Sequence, residues 1–444
     1  MQFSSPHFSS RPGGRLRASA LAAACVIVAS CALLAGASGA RAATVSGSLT
    51  ALQDSGSIDA TKAKTARATY WAARSLRKRL TGARQLPLTN QLRTLDSLAK
   101  KNRITADRVT PLFTMLQVNV DWFTTRGPGA VGTRMTFGDS RIIYQYFAGW
   151  GWQFHPLANF SKLNAVWTDK SAGARRFLSK EAYELISFGV NRGGALTWEY
   201  YFPFSGSPAV FISSISQGTA IQALARSGNA LKDPNITAAA TQGAKAFGVA
   251  APTGLKLARD GGLHFIGYSG NRKEIIFNMF AQALDGLHDY SVITDDVEAK
   301  SLYEQGLVAA RVELPQSDTG AWSLYELGGL ESNLNYHQVL VEFLNRLCED
   351  TEEALFCNLH ARQKSYLTTP PTVTRISKKL RGGRIYVTFT LSKVSTVTVR
   401  TPGGGTAVAT VSRGKRVFSV KKGRSTAVTI AVRDLAGNTA QASK

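Results

Sequence analysis

The sequence predicts a mainly α protein whose helices pair antiparallel, as in a bundle or an α/α barrel, with a small β element before them and an antiparallel β-sandwich after them. Three observations carry this. Successive segments from "WQFHPLANFSKLNAVW" to "NYHQVLVEFLNRL" place apolar residues at helical spacing. Ahead of them, "TRMTFGDSRIIYQYF" alternates apolar and polar residues around Gly138-Asp139, a hairpin signal. Past Pro370-Pro371 the chain breaks into short alternating runs separated by glycine-rich turns.

At the amino terminus, Arg11, Arg15 and Arg17 precede an Ala/Leu/Val-rich stretch that ends at Ala40-Arg41-Ala42, a small-x-small cleavage pattern. Residues 1–42 therefore read as a secretory signal peptide, and the protein is expected to be secreted or extracytoplasmic at the cell envelope. An uncleaved anchor and a lipoprotein site at Cys31 are the alternatives for the same segment. Residues 43–60 are Ser/Thr/Gly-rich and read as a flexible entry. Two basic helices, broken near Gly82 and Pro87, complete a basic helical spacer over 43–108.

The helical region follows over 109–368, opening with the β hairpin. Its helices are amphipathic. Tyr303, Leu307, Ala310 and Leu314 form one apolar stripe, and Tyr336, Leu340, Phe343 and Leu347 form another. Over 369–444, "RIYVTFTL", "STVTVRT", "AVATVS" and "STAVTIAVRD" read as strands of an Ig-like β-sandwich.

The 444 residues carry a formal net charge of +24, so a polyanion is the expected partner. Export disfavours nucleic acid and favours an acidic polysaccharide. The last domain supplies much of the excess, with Asp434 as its single acid, and it also suits contact with an anionic cell envelope. A homodimer is compatible with the sequence. Of the four cysteines, Cys25 and Cys31 lie in the leader, whereas Cys348 and Cys357 enclose a short acidic loop and are expected to form a disulfide. His360 is the nearest histidine to that pair, too few ligands for a closed zinc site, so no metal is expected.

The stretches "YSGNRKEIIFNMFAQALDGLHDY", "EAKSLYEQGLVAARVELPQSDTGAWSLYEL" and "NYHQVLVEFL" resemble the C-terminal domain of the D-glucuronyl C5-epimerases, which convert glucuronic to iduronic acid in heparan-type polymers. Gln217-Gly218, Tyr268 followed by Arg272 and Asn278, Asp318-Thr319-Gly320, Tyr325 and Tyr336-His337 fit the family pattern in order and spacing. The resemblance implies an α/α barrel (toroid), a cleft for a uronic-acid polymer, tyrosines among the catalytic groups and no dissociable cofactor. One departure bears on the chemistry: Gly267 stands where the family usually has an acid before the tyrosine.

Inverting C5 of a uronic acid requires removal of the proton beside the carboxylate and return of one to the opposite face, with cations or donors on the carboxylate. Tyr268, Tyr325 and Tyr336 are the expected acid/base groups, their pKa lowered by nearby cations, and Arg272 is the expected carboxylate ligand. Asn278, His337, Gln217, Tyr144 and Tyr146 are the other candidate substrate contacts. Against these stand plainer readings: Tyr336 as a core residue on its stripe, Tyr325 packing on Trp322, Asp318 shaping a turn. A lyase acting on the same linkage and a non-catalytic acidic-glycan-binding envelope protein are the competing functions.

Overall fold

The computed structural model describes residues 44–444, so the leader with Cys25 and Cys31 lies outside the described residues. The described chain forms two compact units: residues up to 140 with 144–154, and residues 141–143 with 155–444.

The first unit has four helices, α1 (Val45–Asp54), α2 (Ala60–Arg79), α3 (Gly82–Lys100) and α4 (Ala106–Thr125), then strands β1 (Arg134–Met135), β2 (Tyr144–Phe147) and β3 (Gly151–Phe154). The flexible entry expected over 43–60 is instead largely helical. Thr44 caps α1 by accepting from the Gly47 amide, and Val45 and Leu49 are buried. Nor does Pro87 break the chain: α3 and α4 each carry a proline at their sixth residue, Pro87 and Pro111. A proline there forgoes one helical bond, and the burial of Leu88, Leu92, Leu95 and Leu98 on α3 and of Val109, Leu112, Leu116 and Phe123 on α4 offsets it. The strands form an antiparallel sheet in the order β1-β2-β3, with Met135 opposite Tyr144 and Tyr146 opposite Trp152. Trp152 also pairs with a side chain of α4, since Asn119 donates to the Trp152 carbonyl at 2.7 Å and accepts from its amide at 2.8 Å.

The second unit opens with helices and short hairpins: α5 (Pro156–Val166), α6 (Ala172–Ser187), β4 (Val190–Arg192), β5 (Ala195–Thr197), α7 (Ser214–Leu231) and α8 (Pro234–Ala244). After these come β6 (Lys256–Arg259), β7 (Gly262–Phe265), α9 (Phe277–Thr294), α10 (Val297–Glu313), α11 (Leu334–Thr351) and α12 (Ala354–Ser365). The odd-numbered helices α5, α7, α9 and α11 lie side by side, and each is followed by a helix packed on it.

Polar side chains show that α7, α9 and α11 run parallel, since Gln222 and Arg226 meet Asp285 and Asp289 in order, and Arg346 and Asp350 meet Asp285 and His288 in order. Asn164 of α5 donates to Gln222 of α7 at 2.9 Å, Gln222 donates to Asp285 and Asp289 of α9 at 2.8 and 2.7 Å, and Arg346 of α11 donates to Asp285 at 2.8 Å. Arg226 of α7 completes the network on Asp289. Ascending residues on one helix therefore meet ascending residues on the next, so their amino termini gather at one end. Contact between α7 and α9 is closest at two glycines, where a Cβ on Gly286 would lie 2.4 Å from the Gly218 carbonyl oxygen. Asp285 is thus a buried ionic residue.

In the last domain, strands β8 (Val373–Arg381), β9 (Arg384–Leu391), β10 (Ser395–Arg400), β11 (Thr406–Val411), β12 (Gly414–Lys421), β13 (Thr429–Asp434) and β14 (Thr439–Ser443) form two antiparallel sheets. Their orders are β12-β9-β8 and β11-β10-β13-β14. The two share one core that includes Ile385, Val387, Phe389, Val397, Val399 and Ile430. A buried lysine joins this domain to the helices: Lys393 Nζ donates to the Tyr366 carbonyl at 2.8 Å, pairs with Asp434 at 2.6 Å and lies over the Trp322 ring. Nearby, Glu331 accepts from the Val394 and Arg413 amides at 2.9 and 2.8 Å. Cys348 and Cys357 form the expected disulfide, closing the turn between α11 and α12.

Candidate active site

The gathered amino termini of α9 and α11 carry the three tyrosines. Tyr268 lies on the connector before α9. Its neighbour Ser269 donates its amide to the Ile212 carbonyl at 2.9 Å and accepts the Ile212 amide at 3.1 Å through Oγ, which fixes this connector to the start of α7. Tyr325 lies on the connector before α11, where its carbonyl accepts from the amide of Phe277, the first residue of α9, at 3.3 Å. Tyr336 is in the first turn of α11, its amide donating to the N-cap Asn333 at 2.9 Å.

From three separate positions in the chain, these side chains meet. Tyr325 is hydrogen-bonded to Tyr268, and the rings of Tyr325 and Tyr336 lie 4.8 Å apart at 50°. Tyr268 is 3% exposed, its ring edge-on to Phe204 and Phe211 at 5.4 and 5.6 Å, whereas Tyr325 and Tyr336 are half-buried. A neighbouring layer extends the cluster: Tyr200 stacks on Phe211 at 5.0 Å and shares a 2.7 Å hydrogen bond with Ser216 of α7. Trp322, the alternative packing partner for Tyr325, is instead stacked on His337.

The electrostatics differ from the expectation of cation-activated phenols. Burial pushes the Tyr268 hydroxyl well above its ordinary pKa, and the charges that Tyr325, Tyr336 and Glu274 would carry add to the rise. Tyr325 is likewise pushed up, first by burial and then by Tyr336, with its hydrogen bond to Tyr268 opposing. Both are protonated phenols at neutral pH. Arg272, the expected carboxylate ligand, is exposed in the turn that follows Tyr268.

A carboxylate that sequence reasoning did not select bears on the cluster. Glu274 accepts from Ser205 Oγ at 2.6 and 2.7 Å and from Asn271 Nδ2 at 3.1 Å, and its charge acts on both Tyr268 and Tyr325. It is also hydrogen-bonded to Glu326, whose own pKa is raised by burial first and then by Glu274. The sequence held one signal for it, since Glu326 adjoins Tyr325 and Glu274 follows Tyr268 by one short turn. A Cβ at Gly267 would sit 2.8 Å from Met279 Sδ and 3.2 Å from Ile276 Cδ1, so an acid there would require these side chains to shift.

Of the remaining candidates, Asn278 lies in the first turn of α9, beside the amide bonded to Tyr325, and its Oδ1 is buried without a hydrogen-bond partner. His337 and Gln217 are corrections. His337 is fully buried, with Nε2 donating to the Gln363 carbonyl at 3.0 Å and Nδ1 paired with Ser323 Oγ at 2.8 Å, so neither nitrogen is open to a substrate. Burial lowers its pKa to about 4. Gln217 Nε2 bridges the Leu196 and Gly243 carbonyls at 2.8 and 2.9 Å, a tie between α7, α8 and the β4–β5 hairpin. Tyr144 and Tyr146 are corrected as well. They share a face as their spacing requires, but both are buried in the first unit, Tyr144 against Phe137 and Tyr146 against Trp152 and Gly129. Asp318 shapes its turn by accepting from the Gly320 amide at 2.8 Å. Among the described residues, no cluster of metal-ligating side chains is present.

Residues 192–365, which hold all three tyrosines and both glutamates, match the family model described as D-glucuronyl C5-epimerase C-terminus. This segment is thus similar to the C-terminal domain of the D-glucuronyl C5-epimerases. Among solved structures, the chain is similar to unsaturated glucuronyl hydrolase from Bacillus sp. GL1, responsible for the degradation of glycosaminoglycan, with TM-score 0.36 and 13% identity over 48% of this chain and 60% of that one. It is also similar to a UGL variant with dGlcA-Glc-Rha-Glc, with TM-score 0.34 and 14% identity over 48% of this chain and 59% of that one. The chain spans about three-fifths of the length of either hydrolase.

Proposed function

We propose that the epimerase-family domain, built as an α/α toroid, inverts C5 of uronic acid residues in an acidic polysaccharide, in an exported protein. The convergence of Tyr268, Tyr325 and Tyr336 on one point, beside a carboxyl pair, carries this reading. Removal of the C5 proton needs a base, and Glu274, the carboxylate nearest the phenols, supplies one. Return of a proton to the other face needs a donor, and phenols held as O–H by burial supply it. The negative charge that develops on the substrate carboxylate would be met by the amino termini of α7 and α9, neither of which is capped by a side chain, and by their partial positive charge. The Cys348–Cys357 disulfide suits an oxidising compartment.

Incubating the protein with a glucuronate polymer in D2O tests the proposal. Deuterium entering C5 of an uncleaved chain is the expected result. Ultraviolet absorbance from an unsaturated sugar would show a lyase instead, and neither signal with retained polymer binding would leave a glycan-binding protein. That last reading draws on one observation, that burial raises the pKa of Tyr268 and Tyr325 where cation-activated phenols would be lowered.

A further inference from the structure

Charge in the β domain is unevenly divided between its two outer faces. Strands β8, β9 and β12 point Ile385, Val387, Phe389, Phe418 and Val420 into the core, so the alternate residues face outward. The register places those outward residues in rows. Arg381, Arg384 and Lys421 lie abreast, Lys379 lies beside Tyr386 in the next row, and Lys415 stands at the other end of β12. No acid occurs on this face, and the domain's one carboxylate, Asp434, is buried against Lys393. On the opposite sheet, the outward residues are mostly Thr and Ser, with Arg400 and Arg433 as the cations. Five cations against two, on sheets of similar size, means that one face holds the charge.

Two details fit this face to a sugar chain. Tyr386 is central and 37% exposed, with Lys379 on one side and Ser419 on the other, an aromatic plane between hydroxyl and ammonium groups. Arg384 is held across the sheet by donating to Ser419 Oγ at 2.7 Å and to the Ser419 carbonyl at 2.9 Å. From Lys415 to Lys421 the face runs about 20 Å, long enough for several sugar residues. The loops that touch the helices, around Val394 and Arg413, adjoin the Lys415 end, so the face extends away from the helical domain.

We infer that the outer face of the β8–β9–β12 sheet is a docking surface for a linear acidic polysaccharide, separate from the tyrosine cluster. The occupant rests on the uronan reading of the helical domain, while the surface does not. Hyaluronan, which carries carboxylates and no sulfates, is the probe, with neutral dextran as a control, titrated onto the whole protein. The triple substitution K379S/R381S/R384S is expected to weaken hyaluronan binding about tenfold or more and to flatten its salt dependence. Y386A is expected to weaken it several-fold at unchanged charge, and R400S/R433S on the opposite sheet to leave it within about twofold. All are exposed positions, and a thermal melt confirms that each variant is folded. Unchanged binding in the triple variant overturns the inference. So does a Y386A variant that binds hyaluronan like the parent while the triple loses hyaluronan, single-stranded DNA and phosphatidylglycerol vesicles alike, which marks a general anion surface. Binding that depends on this face in a protein without deuterium exchange would preserve the docking surface and remove the epimerase reading.

Discussion

Tyr325 and Tyr336 face each other with ring centroids 4.8 Å apart, although eleven positions and a glycine turn separate them in sequence. Both are half-buried, and Tyr325 is also hydrogen-bonded to the buried Tyr268. If this cluster handles the proton, Tyr336→Phe keeps the ring contact and removes the hydroxyl. Deuterium exchange should fall about 100-fold or more with polymer affinity nearly unchanged. Exchange at the parental rate would eliminate Tyr336 as an acid/base group.

The carboxyl pair gives an asymmetric expectation. Glu274→Gln removes the proposed base and should lower exchange about 100-fold. Glu326→Gln keeps a hydrogen-bond donor to Glu274, so most activity should remain. Equal, small losses in the two variants would mean that the pair is only structural.

His337 links pH to stability. Its pKa is lowered to about 4 in the fold, so on acidification the unfolded chain takes up the proton first. Stability is then fully present above about pH 6.5 and is lost progressively as pH falls toward 4, by up to about 3 kcal/mol. Denaturant unfolding across this range should show the slope, and His337→Gln should flatten it.

A methyl group at Gly286 would meet the Gly218 backbone. Gly286→Ala should therefore force α7 and α9 apart and cost about 2–3 kcal/mol. Because the connectors bearing Tyr268 and Tyr325 are tied to the starts of these helices, exchange should fall as well, even at temperatures where the variant is folded. A variant as stable and active as the parent would show that this contact is not limiting.

Legibility in the sequence followed what each residue had to do. The stripe of Tyr303, Leu307, Ala310 and Leu314 was readable because all four are buried on one side of a helix. The strand Arg384–Leu391 was readable because it has one wet face. Residues 106–125 were not, since β-branched residues and Pro111 obscure a helix that tertiary burial sustains. At the site, the tyrosines could be found from the family pattern. His337 and Gln217 belong to that pattern too, yet they hold the scaffold, and spacing alone does not separate a residue that binds backbone carbonyls from one that binds a sugar. Glu274 was missed because its link to the cluster runs through Ser205 and Glu326, distant in sequence.

Lys393 bears on how the chain can be divided. Its ammonium group is enclosed by a carbonyl from the end of α12, an aspartate from β13 and the indole of Trp322. Cutting after residue 368 would uncover that indole beside His337 and leave the helical half with a raw hydrophobic wall. The two halves should thus melt as one body, and a polymer caught on the basic sheet would be held at a fixed bearing to the tyrosines instead of swinging on a tether.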